Sequence, residues 1–141
     1  MLVLAVACKS NDRQAASSEN SADAARNFIR AALDGKFGEA SNYMLQDSLN
    51  LNYLDVAERN YKNAPQSVKD GYRASSIRFY DPLAAPNDSV SILVYSNSFK
   101  NDPDTLKVVR INNNWLVDLK YLYQHDADTA LNKPVTTDSL K

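Results

Sequence analysis

Apolar side chains recur at helical spacing from residue 21 to the low seventies, and from Ser75 onward the period falls to two. Ala25, Phe28, Ile29, Ala32 and Leu33 follow the i, i+3, i+4, i+7, i+8 stripe of an amphipathic helix. Ser21 or Asp23 can cap its start, and Gly35 supplies a left-handed stop. Phe37, Ala40, Tyr43 and Met44 repeat the spacing in a shorter second helix. Asp47 or Ser48 then caps a third, with Leu51, Leu54, Val56, Ala57 and Tyr61 as its buried positions and Pro65 as its limit. Residues 66–73 predict one further turn, which Gly71 interrupts.

Segments 76–80, 89–95, 105–111 and 115–121 read as strands, rich in β-branched and aromatic residues and separated by Asp, Asn and Pro. The breaks are 81–88, 101–104 and Asn112-Asn113-Asn114. Asparagine tolerates positive φ, so the last of these suits a tight hairpin. With a two-residue turn, Leu106, Val108 and Arg110 share a face with Trp115, Val117, Leu119 and Tyr121; a three-residue turn swaps the faces. Helices first and an antiparallel meander of about four strands afterward predict a single α+β domain over residues 21–123. Residues 124–141 lose the periodicity and read as a polar tail.

Composition narrows the picture. Hydrophobic residues at 44% and charged residues at 23% fit a folded domain, and a net charge of -1 with no Lys/Arg cluster argues against nucleic acid as a partner. The single cysteine and single histidine leave no set of metal ligands and no Ser-His-Asp triad, and no glycine-rich phosphate loop exists, so no cofactor is expected. Apart from one short N-terminal run, no segment approaches a spanning helix.

That run, Met1 to Ala7, ends at Cys8 and gives way at once to the polar stretch KSNDRQAASSEN, a tether over residues 9–20. Leu4, Ala5 and Ala7 before the cysteine resemble a bacterial lipobox, in which a peptidase cuts before a cysteine that is then acylated. The resemblance implies that residues 1–7 are the remnant of a signal peptide whose true start lies upstream or was trimmed. It makes Cys8 a lipidation site and anchors the domain to the bacterial envelope. The expected place is the outer membrane, facing the periplasm or the surface.

A first helix reading AARNFIRAALDGKFGEASNYM, a polar middle, and a closing DTLKVVRINNNWLVDLKYL together look like small Bacteroidetes-type lipoproteins of unassigned function with a nuclear-transport-factor-2-like, or cystatin-like, fold. The resemblance covers residues 21–123 and is carried by Leu33-Asp34-Gly35-Lys36-Phe37 with Ala40 and by Asn113-Asn114-Trp115-Leu116-Val117. It implies helices packed on a curved sheet whose concave face carries a pocket. It transfers no catalytic residue.

From the strand register, Arg110, Trp115 and Tyr121 are the candidate pocket residues. A ketosteroid-isomerase-like enzyme would need a carboxylate base in an apolar cavity, and Asp118 with Tyr80 or Tyr95 could be enlisted. Asp118, however, alternates with Val117 and Leu119 and is expected to meet solvent. The chain's eight tyrosines suit pocket rims, or equally the wet edge of a small core. Asp followed by Ser or Thr and an aliphatic residue recurs at Ser48, Ser89, Thr105, Thr129 and Ser139, which is similar to an O-glycosylation acceptor. Helix caps and turns explain Ser48, Ser89 and Thr105; Thr129 and Ser139 in the tail are the candidate acceptors. The sequence therefore points to a lipid-anchored binding module for a small molecule or protein. The alternatives are a pocket enzyme acting on a small hydrophobic substrate, and a homodimer formed through the open sheet face.

Overall fold

The structure, a computed structural model, describes residues 20–80 and 84–123. Helix α1 spans Ser21–Leu33. Its cap is Asn20, not the expected Ser21 or Asp23: Asn20 Oδ1 accepts the Asp23 backbone N–H at 2.8 Å, and Nδ2 donates to the Asp23 carboxylate at 3.0 Å. An amide does both jobs, and Asp23 is left in the first turn, where the helix dipole favours an anion. At the other end Gly35 takes φ +76°, so that its N–H reaches Ala32 O while the Lys36 N–H reaches Ala31 O. These two bonds form the Schellman stop that the glycine predicts.

Helix α2, Phe37–Ala40, runs into a single 3-10 turn at Ser41–Tyr43. The second helix ends short of Met44 because that residue turns extended and forms a parallel bridge with Val117; the Leu45 N–H then donates to Val117 O at 2.9 Å. Helix α3, Ser48–Asn63, starts on Asp47, whose Oδ1 accepts the Asn50 backbone N–H at 2.9 Å. Of its expected buried positions Leu54 is buried, but Leu51 is exposed and Asn50 takes an interior place instead. Helix α4, Gln66–Ala74, passes through Gly71 without a break. That glycine answers a need for space, since a Cβ there would collide with the ring of Phe99.

Five strands, β1 (Ile77–Phe79), β2 (Ala84–Asn87), β3 (Val90–Asn97), β4 (Asp104–Ile111) and β5 (Asn114–Asp118), make one antiparallel sheet in the order β1-β3-β4-β5, with β2 also on β3. The chain is therefore α+β. Strand β2 falls in a stretch that the sequence reads as a break, because Ala-Ala-Pro-Asn contains no β-branched or aromatic residue. It pairs with one half of β3, Ala84 opposite Ile92 and Asn87 opposite Val90, while β1 pairs with the other half, Ile77 opposite Asn97 and Phe79 opposite Tyr95. The two are pieces of one edge.

Asn112 and Asn113, at φ +48° and +63°, form a two-residue turn between β4 and β5, and the register sets Val108 opposite Val117 and Arg110 opposite Trp115. Strand β5 stops at Asp118, and residues 119–123 coil into a helical turn, so Tyr121 leaves the strand face. Phe28 and Ile29 of α1 pack on Leu93, Leu106, Val108, Val117 and Leu119 in the core. Full burial stabilises each such side chain by about 1.5–3 kcal/mol.

Candidate functional site

A cavity of about 400 Å³ lies between α1, α3, α4 and the end of β3. Small residues create it. Ala32 on α1, Ala57 on α3 and Ala64 just beyond α3 put little bulk between the surrounding rings. Tyr61, Tyr72, Tyr95 and Tyr123 line it together with Phe28 and Phe37. Along one wall the rings hold one another: Phe37 meets Tyr61 edge-on at 5.5 Å, Tyr61 is tilted on Tyr72 at 6.3 Å, and Tyr72 meets Phe99 edge-on at 5.1 Å. Each such pair contributes about 0.5–1.5 kcal/mol beyond its buried area.

Two contacts fix the helices that carry this wall. The Tyr61 hydroxyl donates to Leu33 O at 3.2 Å, and its ring packs so closely against Gly35 that a Cβ there would lie 2.7 Å from it. This ties α3 to the end of α1. Arg30, also on α1, ties down α4: its guanidinium donates to Ser75 O at 2.6 Å, Tyr72 O at 3.1 Å and Arg73 O at 3.3 Å, and to Asp34 Oδ1 at 2.9 Å. The fork gathers carbonyls at the C-terminus of α4, the negative end of its dipole; that of Tyr72 also accepts the Ser75 N–H at 3.2 Å and the Ser75 hydroxyl at 2.6 Å.

A second cluster lies where α3 begins and β5 ends. Asn50, with 0% exposure, uses both ends of its amide: Oδ1 accepts the Leu119 N–H at 2.7 Å, and Nδ2 donates to Asp47 Oδ2 at 2.8 Å and to Asp118 Oδ1 at 3.2 Å. Asp118 also accepts the Lys120 N–H at 3.1 Å, which makes it the cap of the helical turn at 119–123. Lys120 Nζ reaches Asp47 at 3.3 Å. The backbone and side-chain N–H groups of Asn50 hold Asp47 at about 2, below the ordinary 3.8, and Lys120 adds to the effect.

Of the sequence-derived candidates Tyr95 lines the cavity, and the other described ones fall elsewhere. The two-residue turn places Arg110 at the sheet end, exposed, where it donates to Asn113 Oδ1 at 3.2 Å; Trp115 packs half-buried against the core. The cavity lining includes neither of them, nor Tyr121. Asp118, expected in solvent, is 7% exposed, because α3 lays Asn50 over the point where the strand ends. Tyr80 is exposed, its hydroxyl 3.3 Å from Ser96 Oγ. Ser48 is the first residue of α3, Ser89 lies in the turn before β3, and Thr105 is in β4. Cys8, His125, Thr129 and Ser139 lie outside the described residues.

Among the described residues the lining contains no acid, base or histidine; its polar groups are the tyrosine hydroxyls and the amides of Asn60 and Asn97. Such a surface suits a neutral molecule held by apolar burial and ring contacts, and its volume is within the range of small-ligand sites. The sequence missed the site because tyrosines on α3 and α4 could equally be core edge. The available signal was the pairing of these aromatics with alanines at 57 and 64 on the same helical stretch. Among the described residues no group of His, Cys, Asp and Glu could hold a metal ion, and no helix is long and apolar enough to cross a membrane. No family model, curated protein or solved structure matches the chain.

Proposed function

We propose that this chain is a lipid-anchored binding module of the bacterial envelope, with a nuclear-transport-factor-2-like domain that takes a small apolar molecule between its helices and its sheet. The observation that carries the binding reading is the aromatic cavity of about 400 Å³. An enzyme of the ketosteroid-isomerase type is less well supported, since the carboxylate best placed in sequence, Asp118, is engaged by Asn50 and Lys120 and does not line that cavity.

The binding reading is tested with N-phenyl-1-naphthylamine, a neutral fluorophore that brightens in apolar surroundings. Wild type should brighten it. Ala57→Phe, which fills the cavity from α3, should weaken binding about tenfold, roughly 1.4 kcal/mol, while leaving the melting temperature the same or higher. No brightening by wild type, or an unchanged affinity in the filled variant, would sink the reading.

The anchor rests on the lipobox-like run before Cys8 and the polar tether after it. With the full leader present, a fatty-acid analogue should label wild type and not Cys8→Ala, and only wild type should partition with membranes. Equal labelling of the two would remove the anchor.

A further inference from the structure

Among the polar groups of the lining, the amide of Asn97 has a fixed orientation. Asn97 ends β3, and its Oδ1 accepts two backbone N–H groups of the following turn, from Phe99 at 3.1 Å and Lys100 at 2.9 Å. These bonds settle which way the amide points, because the opposite orientation would set its NH2 against two further donors. The oxygen is thus committed to the turn. The two Nδ2 hydrogens remain, and no described residue accepts from them, although the side chain is half-buried and lines the cavity. An amide in that state offers donors only.

The aromatic wall places this donor. Phe37, Tyr61, Tyr72 and Phe99 follow one another in contact, so the cavity runs from an apolar end at Leu33 and Phe37 to an end beside α4 and the Phe99 turn, where Asn97 stands. Charge narrows the ligand further. Among the described lining residues a bound anion would find no cation, and burying an unpaired carboxylate is costly. A bound cation would find no carboxylate among those residues, and the face of Tyr61 already carries the Lys69 ammonium, 6.0 Å from its centroid.

We propose that the ligand is a neutral, mainly aromatic molecule bearing one hydrogen-bond acceptor, of the carbonyl type, which receives an Nδ2–H of Asn97 at the α4 end of the cavity. This rests on the binding reading above and specifies it. The acceptor should read out as selectivity between probes of one shape, because a buried donor left unmatched is penalised more than a matched one is rewarded.

The test compares 2-acetylnaphthalene, 2-ethylnaphthalene and, at pH 8, 2-naphthoate on the full chain, by calorimetry or by tyrosine fluorescence. The ketone should bind about tenfold tighter than the hydrocarbon, and the carboxylate at least tenfold weaker than the ketone. Asn97→Asp keeps an oxygen for the Phe99 and Lys100 N–H groups while removing the donors. It should melt within a few degrees of wild type and bring the ketone-to-hydrocarbon ratio to one or below. Equal affinity of wild type for ketone and hydrocarbon leaves the cavity reading standing and overturns the donor assignment, as does a ratio that persists in Asn97→Asp. Tighter binding of the naphthoate overturns the neutral class. Failure of ketone and hydrocarbon alike to bind would overturn the cavity reading and this inference with it.

Discussion

An Asn50→Leu chain is expected to lose about 3 kcal/mol of folding stability, read as a lower urea midpoint or a melting temperature roughly 12–24 °C lower. The shape of the side chain is nearly kept, so the loss measures hydrogen bonds. Leucine leaves the Leu119 N–H without its acceptor in the interior and strips Asp118 and Asp47 of a donor each. A buried donor or acceptor left unmet costs about 1–3 kcal/mol, and the apolar gain of leucine offsets only part of the sum. A loss below about 1 kcal/mol would show that water reaches this corner and satisfies the same groups.

The same variant should change the acid limb of the stability curve. Asp47 stands at about 2 in the folded chain against an ordinary 3.8, so its contribution is complete above about pH 4 and is lost as the pH falls through about 2. The substitution preserves the backbone donor at position 50 but removes the side-chain one. Asp47 should therefore move part-way back toward 3.8, and the variant's stability should fall less steeply between pH 4 and 2 than that of wild type. An identical slope would assign the depressed value to the backbone bond and Lys120 alone.

Arg30→Met is expected to cost about 2 kcal/mol in urea unfolding, with Arg30→Lys recovering less than half of it. Methionine preserves the aliphatic stem, so what disappears is the fork that reaches the carbonyls of Tyr72, Arg73 and Ser75. Ser75 is buried, and its carbonyl then loses that donor. An ammonium can meet one of the three oxygens, not all. Because Tyr72 sits on the helix that loosens, affinity for the neutral fluorophore should fall as well, whereas a clamp with no bearing on the cavity would lower stability alone.

Local signals were legible where a single residue type determines the backbone. Gly35 marked the end of α1 through its left-handed conformation, and the asparagines at 112 and 113 marked the hairpin whose register orders β4 and β5. Signals failed where the deciding partner is remote. Asn50 stands in a helical stripe as one more polar residue, and its burial depends on Asp118, 68 positions away in the chain. Gly71 reads as an interruption until Phe99 is seen beside it. The cavity was invisible for a related reason: Ala57 belongs to an apolar stripe whether the space opposite is filled or empty. The opening depends on how three helices are held over one sheet. Register alone therefore pointed to Arg110 and Trp115, at the hairpin end of the sheet, and to Tyr121, which the helical turn after β5 takes off the strand face.

The divided edge along β3 has a consequence for how copies of this chain behave when crowded together. A sheet margin with an unbroken row of free N–H and C=O groups is a template on which another chain can add a strand. Here one margin is split into two short pieces, the second bulged and carrying Pro86, which has no N–H to offer. At the other margin, Met44 and Leu45 already occupy β5 at Val117, next to its last residue. Neither side presents an uninterrupted row. Neighbouring copies are therefore expected to meet through side chains, because neither margin offers backbone zippering a complete template.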